Sequence, residues 1–586
     1  MIRGAWWLAL WWGLFGAGAP ALAQSPTDGF GLGPVTLPRN SQIVSLFDVV
    51  FEITGTTGDS LQDAGILQKA RERVAIGPNE AYSQILADAA ALRLRRIPGV
   101  RNATYRLQSR INPNGITLVF SLALSKPGYQ EDQSDGFFAH GGSESLPLLF
   151  RDEKSILTLT LNGGNGVFRD GQPWFGAPLT FTRNNPLVPK PALGAQTGSS
   201  TAWTENYVEF GIGGSTQLGD SPYYIYGAAS AVGVMAAGQD IFWNATRWQD
   251  NIEKLYAGLL WAGPQGGTAN ISVGRQNFSL NDGFLISQFG SQYNAGPRPG
   301  VYLAPRTTQD FSVLAQGQWS GWTLKSFYLD PNEYEPIETK TKVLGANLRY
   351  NATVSTYADA SVITVPSSDS VYRDPSGNTL SRAGLVTYAG HVRWADPAVA
   401  AGVWLESEVA YQNNINFPMS AWAGYGTIGY LASKVPWSPS LSYRYSSFSG
   451  DNPNTQTFER FDPLFSGGLA EWLQGISFGK VLSQTNRTTH RVRFNVSPAD
   501  ELNLTIDYYS NWANQLNNMG GNPALSQLTS KNLGQELQLV ARWAINKHFY
   551  LMGIASYAMP GPAIQDATNN MAKPWSTLQL QLFWNW

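Results

Sequence analysis

The sequence contains no cysteine, few histidines and few charged residues, the last making up 14% of the chain. Without cysteine the protein cannot form disulfides, thiolate metal sites or a cysteine nucleophile. The formal net charge is -2, which argues against a general affinity for nucleic acid. His140, His391, His490 and His548 stand in no hydrolase-like context, and no spacing of histidine and carboxylate residues indicates a metal site. We therefore expect a protein that is not an enzyme and that has no metal and no cofactor.

Beyond its N-terminus the chain also lacks any apolar run of about eighteen residues, the length of a membrane-spanning helix. The N-terminus itself has the pattern of a secretory signal peptide. Arg3 supplies a positive charge, residues 5–17 are apolar, and Ala21-Leu22-Ala23 is a small-residue cleavage site. Glycine and proline interrupt the apolar stretch, which disfavours an uncleaved anchor. We expect residues 1–23 to be removed, so that the mature protein begins at Gln24.

Aromatic residues and glycine are abundant, with 21 Trp, 25 Tyr, 27 Phe and 60 Gly, although the mean hydropathy is only -0.20. Strands that alternate between an apolar and a polar face combine these two properties. Residues 575–586 show this alternation. One face carries Leu578, Leu580, Leu582, Trp584 and Trp586, and the other carries Gln579, Gln581, Phe583 and Asn585. An apolar face that ends in tryptophan is typical of a lipid-facing strand in an outer-membrane barrel.

From about residue 151 onward the chain is a series of such segments, separated by Gly, Pro, Asn, Asp and Ser, with no convincing helix. The candidate strands are residues 155–161, 208–217, 223–234, 255–262, 269–278, 311–319, 323–329, 343–350, 354–365, 386–394, 403–411, 421–431, 439–447, 472–480, 491–497, 502–509, 533–545, 549–557 and 575–586. Bacterial barrels close with an even number of strands, so we expect about eighteen antiparallel strands, with about sixteen as the fallback. The predicted fold class is therefore an all-β transmembrane barrel over residues 151–586. Its long polar stretches, at residues 182–201, 367–382 and 450–470, are expected to form external loops or constrictions.

A small α+β unit is predicted ahead of the barrel, at residues 42–126, between linkers at residues 24–41 and 127–150. The spacing of apolar residues predicts a strand near residues 47–53, helices at 61–74 and 81–96, and strands at 101–110 and 116–124. This β-α-α-β-β order, with the step Ile97-Pro98-Gly99-Val100 after the second helix, resembles a POTRA module, a periplasmic domain that precedes many outer-membrane barrels. The resemblance implies that the unit lies in the periplasm and docks a periplasmic protein. An unrelated two-layer α+β domain is the alternative.

Applying the alternation to each predicted strand places arginine side chains on the inward face of the barrel. These arginines are Arg349, Arg393, Arg444, Arg491, Arg493 and Arg542. A guanidinium group keeps its charge at physiological pH and binds carboxylate or phosphate in a bidentate way. Such an array would attract an acidic solute or polymer and let it pass. Glu209, Glu406, Glu408 and Asp507 share these faces, so arginines that only pair with acids and brace the interior are the alternative.

Short motifs follow one another in the last third of the chain, namely Ser442-Tyr443-Arg444-Tyr445, Phe448-Ser449-Gly450-Asp451-Asn452-Pro453, Phe461-Asp462-Pro463-Leu464, Gly521-Asn522-Pro523-Ala524-Leu525 and Leu533-Gly534-Gln535-Glu536-Leu537. Their order and spacing resemble those of the alginate-export outer-membrane porins. Farther upstream, Gly274-Arg275-Gln276 is similar to an internal element of the same family. The resemblance implies a barrel that passes an anionic polysaccharide or related solute through an arginine-lined lumen, and it adds Arg275 to the lumen residues. Simple alternation puts Arg275 on the apolar face, so it would reach the lumen only through a bulge or at the strand's end.

Two other functional classes are compatible with this layout. A POTRA-like module before a barrel also occurs in barrel-assembly and two-partner-secretion translocators, which carry a Val-Arg-Gly-aromatic element in a lumen loop. The nearest string here, Arg491-Val492-Arg493-Phe494, lacks the glycine and alternates as a strand, which favours the porin. A plugged, purely structural barrel is the third class. We expect an export or diffusion channel in the bacterial outer membrane, surrounded by lipid, with an anionic polysaccharide or acidic solute as its cargo.

Overall fold

In a computed structural model of the chain, a small N-terminal unit precedes a closed β-barrel. The structure describes residues 36–37, 46–54, 56–74, 76, 84–109, 116–124, 136–137, 148–152, 154–174, 200–240, 246–263, 267–287, 300–303, 308–333, 338–352, 356–396, 399–466, 471–499, 502–519, 525–546 and 549–585. The predicted signal peptide lies outside these residues, as do most of the two predicted linkers. No helix among the described residues is long and apolar enough to span a membrane.

The N-terminal unit packs two helices against a four-stranded sheet. Its elements are β1 (Thr36–Leu37), β2 (Leu46–Ile53), α1 (Ser60–Arg73), α2 (Gln84–Arg95), β3 (Val100–Ser109) and β4 (Ile116–Leu124). α1 begins after Asp59, whose carboxylate accepts the N–H groups of Leu61 and Gln62. In the sheet, β4 lies between the antiparallel β3 and the parallel β2, and the core includes Ile66 and Phe120. The predicted β-α-α-β-β order is present, while the relation to POTRA modules stays a prediction.

The rest of the described chain forms the barrel. β5 (Gly136–Phe137) and β6 (Leu148–Arg151) pair beside its first strand. One of the barrel loops contains a hairpin that was not predicted, formed by Val371–Arg373 and Thr379–Ser381. The elements that follow β6 are β7 (Ser155–Gly171), β8 (Ser200–Gln217), β9 (Tyr223–Gln239), β10 (Arg247–Ala262), β11 (Thr268–Arg275), β12 (Phe311–Trp319), β13 (Trp322–Asp330), β14 (Lys342–Asn351), β15 (Tyr357–Ser367), β16 (Val371–Arg373), β17 (Thr379–Ser381), β18 (Leu385–Trp394), β19 (Val403–Asn414), β20 (Ala421–Leu431), β21 (Ser440–Phe448), β22 (Arg487–Ala499), β23 (Leu502–Trp512), β24 (Asn532–Ala544), β25 (Phe549–Pro560), the short helix α3 (Pro562–Ala567) and β26 (Trp575–Asn585).

The last strand closes the barrel by pairing with its first strand. Leu582 of β26 lies opposite Asn165 of β7, so neither strand leaves a free edge along this seam. Side chains alternate along β26 as predicted. Leu578 is 55% and Leu580 48% exposed on the outside, whereas Gln579 points inward and is 5% exposed. An apolar outer band around a polar interior is the pattern of a barrel in a lipid bilayer.

One predicted strand, residues 472–480, is wrong. The segment forms two short 3-10 helices, Glu471–Leu473 and Phe478–Lys480. Its alternating pattern has another cause, because Trp472, Ile476 and Phe478 are buried against apolar side chains inside the barrel. Without this segment, the remaining candidates correspond one to one with the strands of the closed ring, which has 18 strands as predicted.

The two ends of the barrel differ in the length of their connections. One end has short turns, such as residues 320–321 between β12 and β13. The other end has long loops, including residues 276–310 between β11 and β12 and residues 449–486 between β21 and β22. The N-terminal unit meets the barrel at the short-turn end. There Arg93 of α2 stacks over the ring of Tyr224 at 5.4 Å, and the guanidinium of Arg96 donates to Gln217.

Leu580→Arg tests whether the outward face of β26 meets lipid. Near the bilayer midplane the variant should lower the free energy of unfolding by about 2–4 kcal/mol, because a cation is expensive to place in hydrocarbon. Urea titration of the protein folded into phospholipid vesicles measures the change. The matched control Leu580→Val keeps the site apolar and should cost less than about 1.5 kcal/mol. Equal urea midpoints for the two variants would show that Leu580 does not face lipid.

Candidate functional site

A network of buried charges begins on the inward face of β14 and β15. Arg349 lies opposite Asp359 across the two strands, and its Nε and Nη2 atoms donate to Asp359 Oδ2 at 3.1 and 2.8 Å. The guanidinium lies 4.3 Å from the centroid of the Tyr357 ring, a cation–π contact. Both partners of the ion pair are nearly fully buried. The predicted inward position of Arg349 therefore places it beside an acid that the sequence analysis did not name.

The same network continues onto β18 and β19. His391 Nδ1 lies 3.1 Å from Asp359 Oδ2, and its Nε2 lies 3.2 Å from Glu406 Oε1. Arg393 donates to the other oxygen of Glu406 at 2.9 Å and lies 5.1 Å from the Trp404 ring centroid. Strand register accounts for these contacts, since Asp359 lies opposite His391 and Arg393 lies opposite Glu406. Acidic and basic side chains thus alternate around this sector of the wall.

Two arginines face each other on β21 and β22. Arg444 and Arg491 occupy opposite positions in the antiparallel register. Arg444 donates to Thr427 Oγ1 at 2.9 Å, and its guanidinium lies 4.8 Å from the ring centroid of Tyr425 and 4.6 Å from that of Trp472. Like charges directly opposite in a sheet are normally unfavourable, so this arrangement needs a compensating environment or a function.

The remaining inward arginines lie farther along the ring. Arg493 forms a bidentate pair with Asp507, with Nε at 2.6 Å and Nη2 at 2.9 Å from the two carboxylate oxygens. Arg542 of β24 is half-buried and donates to Thr505 Oγ1 at 3.3 Å. Asp507 was predicted to share this face with the arginines, and the two strands place it directly opposite Arg493.

Arg275, added from the family resemblance, lies in a different place. It is the last residue of β11, next to Gly274, whose φ of +127° a residue with a side chain rarely adopts. Its Nε donates to the backbone carbonyl of Ile252 at 2.9 Å, and Nη1 binds the carboxylate of Asp310. Both partners lie near this end of the strand, Ile252 on β10 and Asp310 just before β12. Arg275 itself lies at the long-loop end of its strand.

Part of the long β11–β12 loop folds into the barrel. We call residues 276–287 the first inward segment. The amide of Asn281 donates to Asp359 at 2.9 Å and its oxygen accepts from Arg349 at 2.6 Å, while Asp282 accepts from the Tyr425 hydroxyl at 2.9 Å. Its apolar side chains are buried against inward residues of strands from β13 to β21. The segment thereby covers the charge network.

The tip of the first inward segment is a tight turn that its sequence favours. The N–H of Leu280 donates to the carbonyl of Ile286 at 2.8 Å, and the N–H of Gly283 donates back to Leu280 at 3.0 Å. Asn281 and Gly283 both have positive φ, at +52° and +86°, and asparagine and glycine tolerate this conformation best. The turn therefore directs the side chain of Asn281 to the wall. Most other residue types at these two positions would strain the backbone.

Two further pieces of loop dock on the opposite wall of the barrel. Glu205 of β8 accepts the backbone N–H groups of residues 301–303 at 2.6, 2.8 and 2.7 Å. Glu536 of β24 accepts those of Ser477 and Phe478, both at 3.0 Å. Ser477 and Phe478 belong to residues 471–486, which we call the second inward segment. Buried carboxylates that accept several N–H donors hold a loop firmly, because a charged acceptor makes stronger hydrogen bonds.

Several of the predicted lumen arginines are buried in the interior of the barrel. Arg349, Arg393, Arg444 and Arg491 are each only 3% exposed, and each faces the interior as predicted. In this conformation their charges meet carboxylates, aromatic rings and loop atoms. Arg349 contacts Asn281 of the first inward segment, and Arg444 contacts Trp472 of the second inward segment. Among the described residues, no group of His, Asp and Glu side chains could hold a metal ion.

Several residues that shape this interior were not predicted. Asp359 could have been found, since it alternates with outward residues along a strand that was predicted. Asp170 and Glu205 lie in β7 and β8 beyond the predicted strands 155–161 and 208–217, and Asn281 lies in a loop. Strand alternation predicts the direction of a side chain but not which loop folds back onto it.

Asp359→Ala tests how strongly the network stabilises the barrel. Removing this carboxylate leaves Arg349 and His391 buried without it, so we expect a loss of about 3–5 kcal/mol in the free energy of unfolding. The matched control is Asp220→Ala, which breaks an exposed ion pair with Lys154 and should cost less than about 1 kcal/mol. Urea unfolding in vesicles compares them. Similar losses for both would mean that the network contributes no more than a surface pair.

Comparison with known proteins identifies one matching family model and several similar barrel structures. The family model described as "Alginate export" matches residues 247–574, more than half of the chain. No curated protein matches significantly. Among solved structures, the chain is similar to the outer membrane protein OprD from Pseudomonas aeruginosa, with a TM-score of 0.45, 9% identity and coverage of 73% of this chain and 93% of that one. Pseudomonas aeruginosa OpdQ has a TM-score of 0.44, 10% identity and coverage of 73% and 97%. Salmonella typhi OmpF in complex with daunomycin has a TM-score of 0.37, 13% identity and coverage of 73% and 98%.

Proposed function

This chain belongs to the alginate export family, and on that premise we propose that its barrel passes an anionic polysaccharide or a related acidic solute across the outer membrane. The family and the 18-strand closed barrel support an outer-membrane channel. The acidic cargo and the arginine-lined path through the lumen are proposed in addition to that channel.

The observation that carries the proposal is the pair Arg444 and Arg491. These two cations lie opposite each other on neighbouring strands and face the interior. Two guanidinium groups at opposed positions concentrate positive charge on this part of the wall. A carboxylate of the cargo that bound beside them would use the bidentate geometry of guanidinium. Arg493, two residues farther along β22, lies on the same face and is paired with Asp507.

The inward segments imply that the structure is the closed state of this channel. The ring of Trp472 in the second inward segment covers the guanidinium of Arg444, and Asn281 in the first inward segment accepts a hydrogen bond from Arg349. A polymer could follow the arginine wall only if these segments withdraw toward the long-loop end. Withdrawal would break the hydrogen bonds and apolar contacts that the segments make with the wall. Export in this proposal therefore includes an opening step.

The N-terminal unit is proposed to lie in the periplasm. Outer-membrane barrels have their short turns on the periplasmic side, and α2 contacts the barrel beside such a turn. In this position the unit could bind a periplasmic protein that delivers the cargo. The POTRA-like assignment and that partner belong to the proposal, alongside the lipid contact of the outer band.

The first experiment is conductance of the refolded mature protein, residues 24–586, in planar bilayers. We expect a reversal potential in a salt gradient that indicates anion selectivity, and block of the current by oligouronates. Neutral oligosaccharides of the same length are the control and should block less. Cation-selective current without oligouronate block would overturn the proposal and favour the translocator or the plugged barrel.

Arg444→Gln combined with Arg491→Gln tests the residues that carry the proposal. The double variant should shift the reversal potential toward cation selectivity and weaken oligouronate block by about tenfold or more, since each lost charge-assisted contact is worth about 1.5–3 kcal/mol. The matched control, Arg106→Gln with Lys154→Gln, removes the same charge from exposed ion pairs outside the lumen. If the control shifts selectivity as much as the lumen variant, the two arginines do not form the path.

A further inference from the structure

We propose that Asp170, Trp203 and Trp575 form a binding site for the primary ammonium group of an amino sugar, and that Lys480 occupies this site in the closed state. The proposal does not depend on the anion preference of the channel. It concerns the wall on which β26, β7 and β8 are adjacent, a different sector from the arginine wall.

The carboxylate of Asp170 is the centre of the site. Lys480 Nζ donates to both of its oxygens, at 2.7 and 2.8 Å. Trp575 Nε1 and Thr577 Oγ1 donate to Oδ1 at 3.0 and 2.6 Å and fix its orientation. Asp170 has no exposed side-chain surface and that of Lys480 is 3% exposed. The carboxylate is thus held rigidly by the barrel itself, whatever cation it binds.

Aromatic rings surround the ammonium group. Lys480 Nζ lies 5.0 Å from the ring centroid of Trp575, 5.5 Å from that of Tyr302 and 5.9 Å from that of Trp203. Several rings around a cation, together with one carboxylate, make the chemistry that recognises alkylammonium ligands. Phe168 helps to hold the Trp203 ring in place, since the two rings stack with their centroids 5.3 Å apart. Flat indole and phenyl faces also suit the apolar face of a sugar ring.

The site divides into a fixed part and a removable part. Asp170, Trp203 and Trp575 lie on or beside barrel strands, whereas Tyr302 and Lys480 come from the two loops that fold inward. Lys480 therefore resembles a tethered ligand in a receptor that the wall has already built. A free ammonium group of suitable size would make the same contacts without the loop.

The neighbouring carboxylates explain why the ligand should be a sugar. Glu205 and Glu536 flank the site and accept five backbone N–H groups from the same loops. When the loops leave, those oxygens lose their donors inside the barrel, and the hydroxyl groups of a sugar can replace them. An amino sugar thus offers a substitute for Lys480 and for the lost N–H groups together. Its binding would release both loops and open the channel.

Ligand binding to Lys480→Ala tests the site. Removal of the side chain should raise the open probability of the channel in planar bilayers, because the second inward segment loses its ion pair. n-Propylammonium, which supplies the three carbons and the charge that the substitution removes, should bind the vacated site in a calorimetric titration and leave the channel open, because it is not attached to the segment. n-Propanol should not bind, because it lacks the charge. The matched control Lys154→Ala loses an ion pair at a turn instead and should behave as the wild type does.

Asp170→Asn in the Lys480→Ala background removes the proposed receptor and should abolish the binding of n-propylammonium. Persistence of binding in this double variant, or equal binding of n-propylammonium and n-propanol, would overturn the proposal. Calorimetric titration of the wild type provides a second test that needs no variant of Lys480. Glucosamine should bind and N-acetylglucosamine should not. Equal heats from the two sugars would contradict an ammonium site, whatever the reversal potential says about anion selectivity.

Discussion

Every backbone N–H and C=O group within a bilayer needs a partner inside the protein, because hydrocarbon offers none. This constraint determines the rest of the structure. It requires the sheet to close, and β26 pairs with β7 along most of its length to do so. A related requirement applies inside the barrel, where the buried N–H groups of the loops need acceptors. Glu205 and Glu536 fulfil on the inner wall the same requirement that strand pairing fulfils around the ring.

A ring of 18 strands encloses a wide interior, and the chain fills it in two ways. On one wall, alternating acids and arginines balance their charges and bind the first inward segment through Asn281. On the opposite wall, aromatic rings and carboxylates hold the second inward segment through Lys480 and its backbone. The two walls differ in chemistry, so a solute moving through the open barrel would meet guanidinium groups on one side and acidic, aromatic surface on the other.

Strand alternation predicted the barrel and the direction of its side chains well, because the period of two is imposed by lipid on one face. Leu348 and Arg349 were assigned to opposite faces correctly for this reason. The same pattern failed for Trp472 and Phe478, since a loop packed inside a confined lumen also buries every second or fourth residue. The contacts of Asn281 and Lys480 could not be predicted, because they depend on how loops fold across a space that local sequence does not describe.

Glu205 and Glu536 accept hydrogen bonds from main-chain N–H groups of the loops that they hold. Any residue except proline supplies the same N–H group, so these hydrogen bonds place no demand on the side chains of residues 301–303, Ser477 and Phe478. The limits on those side chains come from packing, as for the buried Phe478. In evolutionary terms, homologous channels could therefore vary these side chains, within the space that the interior leaves, while the wall keeps its hold on the loop backbone.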